Sequence, residues 1–467
     1  MSNSSPQVLI VGGGFSGIAA AKKLHESGIS FQVLEARERL GGRVYTKSLT
    51  DTLYVDFGGQ WIGPTQDRMY ALCREFGIEY FETYNQGKNI LELRGRIRTY
   101  SGVIPRIDPV SLLNLDWIIR KLNRLAGQID PHSPWTHPKA GEFDSLTLED
   151  FLKKNCLTTA CYHVIRVGCE TVFACELTEL SLLHALFYIK SGTSLDCLIN
   201  IQDGAQQHRI KGGMQTIVNR MAETFSEKIH FNSPVRKVET TPSGVQVTSD
   251  SGTYTCQKVI FAVPPPLLSE IKIIPGLSWK KKNLLQNYPM GRVGKCFMIY
   301  KTPFWRKAGF SGQAVSDTGT PFQTLFDCSP ADSSYGILMG FTIGDRAKAF
   351  FERSKEDRKS KLLSVLISYF GQEAAEAIRY EDFTMTDETW SRGCYAALMP
   401  AGAWTAFQGA YQQAEGPFHF AGTEAATRWH GYIEGAVLAG EAAANEILAS
   451  LKTVSYTHLT LPTNREV

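Results

Sequence analysis

Four apolar residues, Val8 to Val11, run without a break into Gly12, and an alanine-rich stretch follows that ends near Gly28. A short apolar run that feeds a glycine turn and then a helical period reads as a buried parallel strand with its crossover helix. A second apolar run, "FQVLE", closes on Glu35. Further along, "IHFNSPVRKVE", "GVQVTS" and "TYTCQKVIFAV" are β-rich and separated by the turn signals "TPSG" and "SDSG", which predicts a small antiparallel layer over the parallel sheet. Helical patterns fill 110–127, 145–191 and 354–379, and Thr147 with Asp150 forms a capping box. "KCFMIY", which follows directly on Gly294, is an apolar strand. The helical pattern of "GAVLAGEAAANEILASL" stops at Leu451, and "VSYTHLTLPTNREV" after it has neither cap nor period. Residues 454–467 read as translated adapter sequence and are expected to be a non-native tail. The fold class expected is α/β.

The first unit also carries chemistry. Gly12-x-Gly14-x-x-Gly17 joins strand to helix. Gly12 permits the tight turn, Gly14 lets backbone approach a pyrophosphate, and Gly17 lets helix and strand pack closely, while the helix N-terminus offers free amides. Glu35 lies 18 residues beyond Gly17, where a carboxylate accepts both ribose hydroxyls of an adenosine and repels a 2′-phosphate. A dinucleotide is expected; these residues alone leave NAD and FAD open.

Charge and cysteine usage remove other classes. Lys and Arg number 49 against 46 Asp and Glu, which gives no electrostatic footprint for nucleic acid or an anionic membrane. The ten cysteines include no C-x-x-C pair and no Cys/His cluster at zinc spacing, so no metal is expected and the thiols read as reduced. No secretory signal and no apolar run of membrane-spanning length is present, which points to a cytoplasmic chain. Cys394, between Gly393 and Tyr395, is left as a packing thiol or an attachment point. The pattern leaves the oligomeric state open, a homodimer included.

Arg39-x-Gly41-Gly42-Arg43 resembles the R-x-G-G-R element of flavoproteins of the amine oxidase superfamily. Seven further stretches follow in the order found in flavin-dependent monoamine oxidases: "VDFGGQWIGPTQDRM", "RIKGGMQTIVNRMA", "NSPVRKVE", "VIFAVPPPLL", "GKCFMIYKTPFWRK", "RGCYAALMPAG" and "FAGTEAATRWHGYIEGAVLAGEAAA". The resemblance implies a Rossmann-like FAD-binding domain from 6–80, 211–286 and 390–452, interleaved with an α+β substrate domain from 81–210 and 287–389. It implies FAD-dependent oxidative deamination of a small primary amine by O2, giving aldehyde, ammonia and hydrogen peroxide.

Carried over residue by residue, the resemblance makes Arg39, Gly42, Arg43, Gly58, Val235, Gly422, Thr423, Glu424 and Ile433 cofactor contacts beside Gly12, Gly14, Gly17 and Glu35. Tyr395 and Tyr432 become an aromatic pair flanking the amine, with Tyr432 also at the flavin, and Lys295 the cation near flavin N5. Cys394 becomes the thioether attachment point of a covalent FAD. Ile199, Gln206 and Gln323 become substrate-cavity residues, the last suggesting a polar entrance. The chain departs from the family pattern at Met385, where a tryptophan is usual, although Trp390 is near; at Arg392, where glycine is usual; and at His430, where a small residue is usual. A polyamine or L-amino-acid oxidase of the same superfamily, or a catalytically silent flavin protein, are the competing readings. Mitochondrial members carry an apolar C-terminal anchor after the closing helix, so a location at the mitochondrial outer membrane is the alternative to the cytoplasm if such an anchor has been lost.

Overall fold

The computed structural model describes residues 5–103, 105–317 and 321–458, the last seven of these as backbone only. Its centre is a five-stranded, all-parallel sheet in the order Ile229–His230, Phe31–Leu34, Val8–Val11, Lys258–Phe261, Phe418–Phe420. Val8 to Val11 are buried along their whole length because elements cover both faces of the sheet. On one face the helix Phe15–Glu26 packs against the closing helix Ile433–His458, with Ile18, Ala19, Val437 and Ala444 in one core. A Cβ at Gly440 would stand 2.0 Å from the Ser16 carbonyl oxygen, so the two helices cross closer than any side chain at that point permits.

The predicted antiparallel layer forms from Val235–Thr241, Gly244–Ser249 and Gly252–Cys256, with Lys272–Ile274 added in parallel. The β-rich stretches divide between the two sheets: "TYTC" belongs to this layer, while Lys258–Phe261 is a central parallel strand. A third sheet of seven strands runs in the order Arg379–Thr384, Val293–Tyr300, Gly336–Ile343, Thr324–Asp327, Phe310–Ser316, Lys88–Leu93, Arg96–Ser101. In Val293–Tyr300 the alternation sends Cys296, Met298 and Tyr300 under the helix Lys355–Phe370, and Val293, Phe297 and Ile299 to the opposite face, toward Cys394. Lys295 shares the second parity.

The helical stretch 145–191 is three helices, Leu148–Asn155, Thr159–Phe173 and Leu182–Ser191. Thr147, Thr158 and Ser181 each accept the amide of the third residue beyond, and the box between Thr147 and Asp150 is complete. The stretch 354–379 stops being α-helical at Phe370, because Gly371 (φ 86°) ends the helix and a strand begins at Arg379. The closing helix runs past the expected stop at Leu451 to His458, since neither glycine nor proline follows Leu451 before Pro462. Residues 459–467 of the expected tail lie outside the described residues.

Candidate active site

A cavity of about 600 Å³ is lined by Gly12, Gly14 and Glu35, by Val235, Gly58 and Ile433, by Lys295, Cys394, Tyr395 and Tyr432, and by Ile199 and Gln206. Its first end is built by the strand-to-helix turn. Gly12 has φ 106°, and a Cβ on Gly17 would lie 1.9 Å from the Gly12 carbonyl oxygen, so both glycines are required by backbone geometry. Gly14, the N-cap residue, has no side-chain cap, and a Cβ there would project toward Gly42 across the cavity wall. The buried Glu35 accepts from the Gly13 amide (2.6 Å) and the Arg37 amide (2.9 Å), which aims its carboxylate at the strand ends. Uncapped helix amides, a cradle free of side chains and an aimed carboxylate together fit a dinucleotide.

Arg39 is turned away from this wall. Its Nη1 donates to the carbonyl oxygens of Leu40, Gly42 and Val44, and the guanidinium stacks 4.2 Å from the Tyr45 ring centroid. It does not line the cavity, because its donors are spent on closing the 39–44 loop. Arg43 does line it and forms a bidentate pair with Glu424, while also donating to the Tyr395 carbonyl oxygen at 2.8 Å. Glu424 takes the Ala397 amide as well and stands behind the wall that Gly422 and Thr423 form. Burial opposes charge on both partners, yet their mutual attraction and hydrogen bonds hold the Glu424 carboxyl below its ordinary range and raise Arg43.

At the far end Lys295 is 5% exposed, and its Nζ donates to the carbonyl oxygens of Asp56 (2.9 Å) and Gly58 (2.6 Å) and to Gln60 Oε1 (2.8 Å). Burial lowers its pKa to about 8, although Asp56 pulls the other way. Cys394 is set by Gly393, which has φ 138° and whose Cβ would meet the Gly291 carbonyl oxygen at 2.4 Å. The Cys394 amide donates to that same oxygen at 3.0 Å. Burial pushes the Cys394 thiol up to about 12, against the pull of Lys295 and Arg43. Tyr395 packs edge-on to Phe341 (6.1 Å between centroids) and Tyr432 edge-on to Trp429 (4.9 Å), and both line the cavity. Their phenols ionise far above the ordinary range because they are buried, so both are neutral.

The family model for flavin-containing amine oxidoreductase matches residues 15–448, nearly the whole chain. The chain belongs to the flavin-containing amine oxidoreductases. Amine oxidase B of Cavia porcellus is 35% identical over 454 residues, covering 96% of this chain and 87% of that protein. Among solved structures, wild-type putrescine oxidase bound to putrescine is 32% identical with a TM-score of 0.90, over 95% of this chain and 99% of that one. Cyclohexylamine oxidase from Brevibacterium oxydans IH-35A is 28% identical with a TM-score of 0.91, over 96% and 100%. The cradle is therefore that of a flavoprotein, and the family implies FAD.

In this amine oxidoreductase Ile199, the last residue of the helix Leu195–Ile199, and Gln206 both line the cavity. Gln206 donates to the Leu198 carbonyl oxygen and leaves Oε1 without a protein partner. Gln323 does not line it. Its side chain brackets Ile343, accepting the amide at 3.0 Å and donating to the carbonyl oxygen at 3.4 Å. Its carboxamide is spent on the Ile343 backbone, while Thr324, Leu325 and Phe326 after it reach the cavity. His430 also sits off the wall, in a box of His184, Phe187 and Tyr188, where burial lowers its pKa to about 4. Met385 is packed among Phe57-side core residues, and Trp390 lines the cavity. Sequence reading missed Gln60, Trp61, Phe326 and Phe341; only the fold brings Gln60, Trp61 and Phe341 to Lys295, and Phe326 against Trp61 and Phe341. Among the described residues no His/Cys/Asp/Glu group can hold a metal, and no helix is long and apolar enough to cross a membrane.

Proposed function

We propose that this amine oxidoreductase oxidises primary monoamines with aryl-alkyl or medium aliphatic tails to aldehyde, ammonia and hydrogen peroxide, using O2. The chemistry of the cavity wall carries this reading. Beside Tyr395 and Tyr432 the cavity lining includes the apolar Trp61, Phe326, Phe341, Ile199 and Val172. Among the described lining residues every acid and arginine is engaged elsewhere. Glu35 is held by the Gly13 amide, Glu270 by Arg392, and the exposed Asp196 by Asn123. Arg37 pairs with Glu388, Arg43 with Glu424 and Arg236 with Asp250. Among the lining acids only the exposed Asp196, held by the neutral Asn123 amide, lacks a paired cation, and no unengaged guanidinium waits for the carboxylate of an amino acid. One amine on an apolar tail fits.

FAD, held between the Gly12–Gly17 turn, Glu35, the Gly42–Arg43 loop, Val235 and the 422–424 segment, supplies the two-electron oxidant for the carbon bearing nitrogen. The apolar wall disfavours an ammonium and so favours the neutral amine, whose lone pair is the reactive one. Tyr395 and Tyr432 restrict how that nitrogen is presented. Lys295 contributes positive charge where negative charge develops on O2. Cys394 is the thioether attachment point.

An amine panel scored by peroxide release tests the substrate class, with benzylamine, hexylamine, cyclohexylamine, putrescine and L-amino acids as its arms. Benzylamine or hexylamine is expected to give the highest kcat/KM. Preference for putrescine, the substrate named for one structural relative, or for an amino acid overturns the monoamine reading. Failure of every amine to bleach the flavin anaerobically makes the chain a silent carrier.

A further inference from the structure

An ammonium has three N–H groups, and Lys295 spends all three at the cavity wall. Two go to backbone carbonyl oxygens, those of Asp56 and Gly58. The third goes to a side chain, Gln60 Oε1, at 2.8 Å. Gln60 is 2% exposed and is itself tethered, since its Nε2 donates to Cys328 Sγ at 3.2 Å. This tether fixes which end of the carboxamide faces the lysine: the oxygen meets the ammonium and the NH2 meets sulfur. The reverse orientation would set donor against donor. Gln60 also lines the cavity beside Lys295, Trp61 and Phe341.

We propose that Gln60 is a positioning residue for Lys295, its tethered carboxamide oxygen holding the ammonium charged and at the cavity wall. The inference rests on the amine-oxidase reading of this site, but its physical content is independent of turnover. The groups that face Lys295 from the surrounding elements are Asp56, Cys328, Cys394 and Arg209. Asp56 is the only acid among them, and its Oδ1 is occupied by Thr46 and the Met214 amide. Among the described residues the neutral oxygen of Gln60 is therefore the one side-chain acceptor that favours the charged form by direct contact. A hydrogen bond to a charged group is stronger than one between neutral groups, so its loss shifts the titration measurably.

The flavin-loaded protein, isotope-labelled at the lysine ε carbon, is titrated by NMR, with the Lys295 signal assigned by its disappearance in Lys295→Met. In Gln60→Leu the midpoint is expected to fall by about one pH unit, a roughly 10-fold change in the protonation constant. In Gln60→Glu it is expected to rise by a similar amount. The limb of the O2 half-reaction against pH, followed by stopped flow, is expected to move with the NMR midpoint in both variants. A midpoint that stays put in both variants overturns the proposal. So does a limb that moves while the Lys295 signal does not. Cys328→Ala, which cuts the tether together with the weaker influence of Cys328 on Lys295, keeps the test informative if Gln60→Leu fails to fold: it is expected to lower the midpoint in the same direction, and an unmoved midpoint there counts against the proposal. If the wild type oxidises no amine, the functional reading fails while the NMR arm still decides the role of Gln60.

Discussion

Arg43 and Glu424, 381 residues apart in sequence, meet in a buried two-point ion pair, Nη1 to Oε1 at 2.6 Å and Nη2 to Oε2 at 2.9 Å. The pair locks the loop after the second parallel strand to the segment that follows the last one. It also holds the Tyr395 carbonyl oxygen through Arg43 and the Ala397 amide through Glu424, so the Cys394 loop is fixed to the same point.

Glu424→Ala is expected to leave Arg43 as an uncompensated buried charge and to cost about 3–5 kcal/mol. Urea unfolding near neutral pH measures it. Because the Glu424 carboxyl titrates below its unfolded value, its stabilisation is present above the ordinary carboxylate range and is lost as pH falls through the lower folded value. The gap between wild type and variant is thus expected to narrow in acid. A constant gap would assign the loss to packing instead.

Lys295→Met is expected to slow reoxidation by O2 roughly 10- to 100-fold and amine-driven reduction much less, since the fixed charge acts on the anion formed from O2. With a folded pKa of about 8, the wild-type lysine is charged below that value, and its oxidative rate is expected to fall as pH rises through it. The variant's profile there is expected to be flat. In stability the sign is the reverse: a lysine whose folded pKa is depressed costs stability below about 8, and the cost is relieved as pH rises from there toward the unfolded value. Anaerobic stopped flow separates the halves, and equal slowing of both removes the assignment.

Tyr432→Ala removes one ring from the reactive end of the cavity while leaving the dinucleotide cradle intact. If that wall supplies about 1.4 to 3 kcal/mol of transition-state positioning, flavin reduction is expected to fall roughly 10- to 150-fold. Flavin content, read from the visible spectrum, is expected to stay at the wild-type level. An unchanged rate at full occupancy makes Tyr432 a bystander.

Cys394→Ala is expected to release FAD into the supernatant on acid precipitation, whereas the wild-type pellet stays yellow and its denatured mass is raised by about one FAD. The redox chemistry belongs to the cofactor, so the variant is expected to retain turnover. A colourless wild-type pellet from fully loaded protein leaves Cys394 as a buried packing thiol.

The chain's sequence by itself determined the parts of this protein that are local. The Gly12–Gly17 turn, Glu35 at a strand end and the capping box of Thr147 and Asp150 are each written within a few tens of residues, where φ, side-chain reach and helix ends obey short-range rules. That Lys295 and Tyr432 reach the cavity was legible for a different reason, because the motifs around them are continuous in sequence. The reach of Arg39 was not legible: a guanidinium goes to whichever acceptors are nearest, and those are the loop's own carbonyls. Gln323 failed because its carboxamide is taken by the Ile343 backbone, a partner from another strand that no local motif announces. The sequence also cannot say that Gln60, Asp56 and Gly58 converge on one ammonium more than two hundred residues away, or that Trp61, Phe326 and Phe341 form one wall. Those contacts follow from how the third sheet packs on the cofactor loops. Only the tertiary structure decided them, because burial and dielectric are properties of the assembled neighbours and not of any one segment.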